Sequence, residues 1–218
     1  MTTRRRSPEP QDGIDSANRR TVDSYERIAR EYAEDTAPDS SGAAAFSRHG
    51  LRRLVTAVPA GGTVLEVGSG PGWDADFVES QGVAVRRTEV ASAFIDFQAE
   101  RGKRVEKLDV TSDELGGPYD AVMALAVLQH LDRAQLPVFL RRVAAALQPG
   151  GVFLVAIREG LGEFWEVGDS GNSYFTVLWT EPAFRALLEN AGLTIEWTFP
   201  GDDARESNWL MLLARKES

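Results

Sequence analysis

The sequence feature that bears most directly on chemistry is a glycine-rich turn after a short apolar run. Residues 63–73 have the sequence TVLEVGSGPGW. Closely spaced glycines between a strand and a helix place backbone N–H groups and the positive end of the helix beside a crevice. Several ligands that contain a nucleoside bind in such a crevice, so the glycines alone leave the ligand open.

Two residues of this turn argue against a dinucleotide. The fingerprint G-x-G-x-x-G requires a third glycine for close packing of helix on strand, and the sequence has Trp73 there. Glu66, at the end of the predicted strand, would repel a pyrophosphate but suits an ammonium or a sulfonium. The turn therefore favours S-adenosylmethionine, which carries both cations and no phosphate, over a nicotinamide dinucleotide.

Acidic residues also follow the next two predicted strands. Glu89 ends the second strand and can accept hydrogen bonds from both hydroxyls of a ribose. Asp109 follows the third strand and can accept one from the adenine amino group. Because Asp and Glu also end strands simply as turn residues, the sequence leaves that structural alternative open.

Short apolar runs alternate with amphipathic segments over residues 63–218, which predicts an α/β core of Rossmann-like, doubly wound type. The predicted strands are 64–67, 84–89, 104–108, 119–125 and 152–157, followed by an antiparallel pair at 194–199 and 209–214. The predicted helices are 74–80, 91–101, 135–147 and 181–190. The run 119–125 is almost continuously apolar, as burial on both faces of a parallel sheet requires.

The N-terminal part of the chain differs from this core. Residues 1–20 are polar and rich in arginine, and their composition predicts a flexible tail. Apolar residues then recur at helical spacing from Thr21, and a second helix is predicted over 43–58. Residues 21–58 are thus predicted to form a helical cap, and residues 21–218 a single domain.

Composition excludes several other classes of protein. The chain has 218 residues, a net charge of −9, no cysteine and two histidines. Disulfides, a thiolate nucleophile and a Cys/His zinc cluster are therefore excluded, no metal is predicted, and nucleic acid is an unsuitable partner. The sequence contains no secretory signal or membrane span, so we expect a cytoplasmic protein, as a monomer or homodimer.

Three segments together resemble the class I S-adenosylmethionine-dependent methyltransferases of small-molecule type, with a methyltransferase-11/25-like domain. They are Val64–Gly72, Tyr119–Leu131 and Leu147–Phe153, which are similar to the first motif, the fourth-strand motif and the entry to the fifth strand of that family. The resemblance extends from Tyr25 to Gly192. It implies a seven-stranded, mostly parallel sheet with an antiparallel last strand.

The resemblance also implies contacts with the cofactor. The residues implied at its methionine end are Glu66, Gly68, Ser69, Gly70, Ala124, His130 and Arg48. Those implied at its ribose and adenine are Glu89, Val90, Phe94, Asp109 and Val110, and Tyr25 or Tyr32 would close over it from the first helix. Glu89 departs from the family pattern, which commonly has Asp followed by a small polar residue.

Methyl transfer to a hydroxyl or a protonated amine needs a group that takes up a proton. His130 and His49 are the two groups that titrate near neutral pH without help, so both are candidate catalytic residues. Residues 159–179 follow the fifth strand and are rich in aromatic and acidic side chains, which suit a flat or cationic acceptor. The candidate acceptor contacts are Glu163, Trp165, Tyr174, Phe175 and Trp179. Alternatively, these aromatic rings only pack the segment onto the core.

The sequence therefore predicts methyl transfer from S-adenosylmethionine to a small-molecule or peptide-like acceptor, at oxygen or nitrogen. Two other functions stay open at this point. One is a nicotinamide-dependent oxidoreductase, against which Glu66 and Trp73 argue. The other is a module that binds S-adenosylmethionine without catalysis.

Overall fold

A seven-stranded sheet forms the centre of the molecule in the computed structural model, which describes residues 5–7, 14–38, 42–168, 171–200 and 209–217. In spatial order its strands are β4 (Val105–Lys107), β3 (Ala84–Glu89), β2 (Thr63–Val67), β5 (Tyr119–Leu125), β6 (Leu147–Arg158), β10 (Trp209–Lys216) and β9 (Leu193–Pro200). Strand β10 is antiparallel to both neighbours, and the other neighbouring pairs are parallel. The predicted seven-stranded sheet with an antiparallel last strand is confirmed.

Helices cover both faces of this sheet. They are α1 (Ile14–Asp35), α2 (Gly42–Ala57), α3 (Trp73–Ser80), α4 (Ser92–Glu100), α5 (Gln135–Ala146) and α6 (Glu181–Asn190). Leu51 and Leu54 of α2 join Val78 of α3 in one buried cluster, whereas Phe139 of α5 and Phe184 of α6 belong to another. The sheet is therefore doubly wound. Among the helices of the described residues, none combines the length and the apolar character needed to span a bilayer.

Two segments of the predicted N-terminal tail form regular secondary structure. Helix α1 begins at Ile14 rather than near Thr21, and Arg5–Ser7 forms a strand, β1. The prediction of a flexible tail over residues 1–20 was therefore wrong for these two segments. Contacts far away in the sequence explain the difference, since Arg20 Nε donates to Ser173 Oγ at 2.8 Å and Asn18 bonds Gln135.

A β-hairpin occupies the aromatic segment after β6, where no strand was predicted. Strands β7 (Glu163–Val167) and β8 (Ser173–Val177) pair in antiparallel fashion, and β1 pairs with β7 on the other side. Helix α1 lies along β8, where Thr21 Oγ1 accepts the Phe175 N–H at 3.0 Å and Ser24 Oγ donates to the Ser173 carbonyl at 2.8 Å. These hydroxyl groups satisfy backbone atoms of β8, so the helix and the hairpin form one unit.

Candidate active site

The glycine turn follows β2, and its shape depends on two glycines with left-handed backbone. Gly68 has φ 64°, and a Cβ at this position would overlap the side chain of Val127. Gly70 has φ 52°, and no heavy atom lies within 4 Å of the place that its Cβ would occupy. The turn therefore packs closely against the end of β5 at Gly68 and leaves open space at Gly70.

Two buried polar side chains, those of Gln98 and Arg87, fix the backbone of this turn through hydrogen bonds. Gln98 Nε2 donates to Ser69 Oγ at 3.0 Å and to the Gly70 carbonyl at 2.8 Å. Arg87 Nη1 in turn donates to Gln98 Oε1 at 2.9 Å, and Arg87 Nη2 pairs with Asp76 of α3 at 2.6 Å. Because each partner is itself fixed, the backbone of the turn is pre-organised for a ligand.

Glu66 carries a carboxyl group in an unusual electrostatic environment. Its side chain is buried, and Ser69 Oγ donates a hydrogen bond to its Oε2 atom. Burial raises the pKa of Glu66 to about 8, and the neighbouring carboxyl of Asp74 adds to the shift. Burial also raises the pKa of Asp74 to about 6, although a hydrogen bond with Ser47 opposes that change. Two desolvated carboxyl groups at one place favour a bound cation over an anion.

Glu89 ties the end of β3 to the glycine turn. Its carboxylate accepts the backbone N–H groups of Gly70 at 2.7 Å, Val90 at 2.7 Å and Ala91 at 3.0 Å. Burial raises the pKa of Glu89 despite these hydrogen bonds. The glycine turn is thus bonded to Glu89, the residue predicted from the sequence to bind the ribose.

Asp109 lies beyond β4, the next strand along the same edge of the sheet. Its Oδ1 atom accepts hydrogen bonds from the backbone N–H of Thr111 at 2.8 Å and from the Thr111 hydroxyl at 2.6 Å. The carbonyl of Val110 accepts from Arg142 at 2.9 Å. Since β2, β3 and β4 are neighbours, the structure brings the strand ends that carry Glu66, Glu89 and Asp109 to one edge.

Helix α1 covers the N-terminal end of α4, beside Glu89. The Tyr25 and Tyr32 rings lie 6.0 Å and 5.7 Å, respectively, from the Phe94 ring between centroids. The Glu26 carboxylate accepts the backbone N–H groups of Ser92 at 2.6 Å and Ala93 at 2.7 Å. Glu26 was not predicted from the sequence, because its partner is a helix end 66 residues away in the chain.

His130 connects α1 with the hairpin. Its Nδ1 atom lies 2.6 Å from the carbonyl oxygen of Phe175, and its Nε2 atom lies 3.0 Å from the Tyr25 hydroxyl. A carbonyl oxygen only accepts, so Nδ1 carries the proton of the neutral ring and Nε2 accepts from Tyr25. The Tyr25 ring also lies 4.8 Å from that of Tyr174, between centroids.

A strained residue that the sequence did not reveal directly follows the end of β5. Ala126 has φ 59°, a conformation that is costly for a residue with a side chain. It follows Ala124, which is buried in β5, and precedes Val127, which packs on Gly68. This strain lies at the carboxyl edge of the central strand, where open α/β sheets bind their ligands.

Other predicted site residues lie elsewhere. His49 stacks on Phe199 of β9 at 4.4 Å between ring centroids, and β9 is an edge strand far from β2 in the sheet. Arg48, beside His49 on α2, is exposed. The structure does not bring His49 to the glycine turn, and the role of Arg48 at the cofactor stays a prediction.

The candidate acceptor residues divide into two groups. Trp165, Phe175 and Trp179 are buried in the cluster beneath α5 and α6, which favours the packing alternative for these rings. Glu163 pairs with Arg133 at 3.2 Å. Tyr174 is the member of the set that contacts Tyr25.

Comparisons with known proteins bear on the family. A family model described as a methyltransferase domain matches residues 40–197, which is more than half of the chain. No curated protein matches the sequence significantly. The solved structure of Burkholderia thailandensis 1,6-didemethyltoxoflavin-N1-methyltransferase, with bound 1,6-didemethyltoxoflavin and S-adenosylhomocysteine, is similar with a TM-score of 0.73. Its sequence identity is 20%, and the alignment covers 100% of this chain and 96% of that chain.

Two further solved structures share the fold. A DhpI–SAH complex has a TM-score of 0.73 at 21% identity and covers 94% of this chain and 99% of that chain. The cyclase SpnF has a TM-score of 0.62 at 18% identity, with 79% of this chain and 80% of that chain covered. Such identities establish a common fold, while the family model adds sequence evidence over most of the core. The chain therefore belongs to the methyltransferase domain family, as a class I S-adenosylmethionine-dependent methyltransferase.

Proposed function

We propose that this enzyme methylates an oxygen or nitrogen atom of a small-molecule or peptide-like acceptor that binds beside Tyr25, His130 and Tyr174, where α1 meets the β7–β8 hairpin. The observation that carries the proposal is the contact of Tyr25 with both His130 and Tyr174. Val127, three residues before His130, packs on Gly68 of the glycine turn. The similar Burkholderia protein is a 1,6-didemethyltoxoflavin-N1-methyltransferase, which supports an acceptor of similar size.

The residues of the glycine turn fit the cofactor. The buried carboxyl of Glu66 suits the ammonium of the methionine end, and the space at Gly70 admits a ligand close to the backbone. Glu89 would hold the ribose, and Asp109 the adenine amino group. When bound, S-adenosylmethionine supplies an electrophilic methyl group and a neutral thioether as leaving group. The protein contributes by orienting the acceptor and by excluding water with α1.

His130 is the proposed proton acceptor, acting through Tyr25. The proton of an acceptor O–H or N–H passes to the Tyr25 oxygen as Tyr25 gives its own hydroxyl proton to His130 Nε2. The carbonyl of Phe175 holds the imidazole in the required tautomer by accepting from Nδ1. Tyr25 is thus unchanged after the step, and His130 leaves it as an imidazolium.

The dinucleotide alternative finds little support in the packing around Trp73. The guanidinium of Arg101 lies 4.1 Å from the indole centroid, and the Phe97 ring packs on the indole edge at 5.9 Å. A large, well-packed ring therefore occupies the position where the dinucleotide fingerprint needs a glycine.

A labelled-methyl assay tests the proposal. The enzyme would be incubated with methyl-labelled S-adenosylmethionine and a library of small hydroxyl, amine and ring-nitrogen compounds, and products followed by mass spectrometry. His130→Asn should lower kcat about 100-fold or more with little change in the cofactor Kd. His49→Asn is the matched control and should keep the wild-type kcat. A lower kcat in His49→Asn together with an unchanged kcat in His130→Asn would show that the assignment to His130 is wrong. Cofactor binding without transfer to any acceptor would instead favour a non-catalytic module.

A further inference from the structure

The β7–β8 hairpin has two different faces. Phe175 and Val177 of β8 and Trp165 of β7 belong to the core cluster with α5 and α6. Side chains alternate along a strand, so the residues between them point to the other face. The pairing register places Phe164 opposite Thr176 and Glu166 opposite Tyr174 on that face. We call these four buried residues the outer face of the hairpin: Phe164, Glu166, Tyr174 and Thr176.

The outer face adjoins the proposed catalytic pair. Tyr174 contacts the Tyr25 ring at 4.8 Å between centroids. Thr176 directly follows Phe175, whose carbonyl accepts from His130. An acceptor held beside Tyr25 and His130 would therefore meet the outer face.

Three carboxylates of this segment, all on residues that the structure describes, already have partners. Glu166 forms a buried ion pair with Arg158, at the end of β6. Glu163 pairs with Arg133, and Glu159 accepts the backbone N–H of Glu181 at 3.4 Å. The charge of Glu166 on the outer face is thus balanced by that of Arg158. A cationic acceptor would face Arg158, and an anionic acceptor would face Glu166, so the pair disfavours both.

Three buried polar atoms near this face find no hydrogen-bond partner among the described residues. They are Thr176 Oγ1 on the face itself, Nε of Arg158, which pairs with Glu166, and Oε1 of Gln129, which directly precedes His130. The Nε2 atom of Gln129 donates to the Ala126 carbonyl at 2.7 Å, which fixes its amide. A buried polar atom without a partner costs about 1–3 kcal/mol. One N–H donor, one hydroxyl and one carbonyl acceptor together match a ligand edge that carries both C=O and N–H groups.

We propose that the acceptor is an uncharged planar heterocycle of lactam type, which lies against Tyr174 and bonds Arg158 Nε, Thr176 Oγ1 and Gln129 Oε1 through its C=O and N–H edge. This inference rests on the proposed function and names its substrate class. It narrows the flat or cationic acceptor predicted from sequence to a flat and neutral one.

Calorimetric titrations of the full chain test the proposed function and the proposed acceptor class separately. Titration with S-adenosylhomocysteine comes first, and a failure to bind it would overturn the proposed function. The protein saturated with S-adenosylhomocysteine is then titrated with three planar probes: lumazine (a neutral lactam heterocycle), 2-naphthoate and 2-naphthylmethylammonium. We expect lumazine to bind at least about tenfold more tightly than either ion. Equal affinities, a preference for an ion, or no binding of lumazine would overturn the inference alone.

Two variants test the residues. Thr176→Val keeps the shape of the side chain and should weaken lumazine about tenfold while leaving the Kd of S-adenosylhomocysteine unchanged. Glu166→Gln leaves the charge of Arg158 unbalanced and should shift the preference about tenfold towards 2-naphthoate. Thermal unfolding shows whether each variant folds. If Glu166→Gln does not fold, Thr176→Val alone tests the proposal. Unchanged lumazine affinity in Thr176→Val would contradict the proposed contact.

Discussion

Replacing Glu66 by glutamine should stabilise the free enzyme while weakening its cofactor binding. Burial raises the pKa of Glu66 from 4.5 to about 8, so the carboxyl costs stability increasingly as pH rises from 4.5 towards 8. This shift lowers the free energy of unfolding by about 3 kcal/mol at pH 7 and by about 1 kcal/mol at pH 5. Glutamine has almost the same shape and no proton to lose. The variant should therefore gain most of this free energy, or roughly 6–12 °C in Tm at pH 7.

The pH dependence distinguishes this explanation from a simple change in packing. Thermal unfolding of the free wild-type and Glu66→Gln proteins would be compared at pH 5 and pH 7, with Glu114→Gln, an exposed position, as the matched control. The control should show no pH-dependent gain. In the same Glu66→Gln protein, S-adenosylmethionine should bind more weakly by about 1–3 kcal/mol, because an ammonium loses its charged partner. An equal gain at both pH values, or a loss of stability at pH 7, would refute the reasoning.

Three further substitutions test the scaffold of the site. Glu26→Ala frees the N-terminal N–H groups of α4 and loosens α1, so stopped-flow measurement should show S-adenosylmethionine dissociating about tenfold faster; an unchanged rate would contradict a covering role for α1. Gly68→Ala should lose about 1–3 kcal/mol in chemical unfolding, since the new methyl group overlaps Val127 at a left-handed backbone position. Arg87→Leu should lose about 1–3 kcal/mol because the buried Gln98 Oε1 loses its donor, whereas Asp76 keeps Arg101 and Lys103 as partners; a near-neutral effect in the same assay would exclude Arg87 as a support of the glycine turn.

The central strands and several helices could be predicted because their signals are local. The predicted bounds of β3, β5 and α6 are those of the structure. For α6, Thr180 caps the helix by accepting the Ala183 N–H at 3.4 Å, and Gly192 follows its end with φ 81°. Capping residues and continuous apolar runs act within a few residues, so a single sequence reveals them.

The parts that escaped prediction depend on contacts between distant segments. The start of α1 is stabilised by bonds to α5 and β8, and Glu26 acts on the end of α4. In the hairpin, both faces carry large or buried side chains, so the alternation that marks a strand is hidden. For that reason the sequence singled out Trp165 and Phe175, which face the core, rather than their neighbours Glu166 and Thr176.

Proton release on cofactor binding tests the role of Glu66 most directly. The wild-type protein would be titrated calorimetrically with S-adenosylmethionine between pH 5.5 and pH 7, in buffers of different ionisation enthalpy. Over this range the ammonium of the cofactor stays largely charged, whereas the free Glu66 carboxyl is mostly protonated because its pKa is about 8. Binding should release close to one proton, and affinity should rise by up to about tenfold per pH unit, with both effects much reduced in Glu66→Gln, in which Asp74 remains as a carboxyl of raised pKa. Binding without proton release, or binding of NAD in place of S-adenosylmethionine, would contradict the assignment of this carboxyl as the cation site.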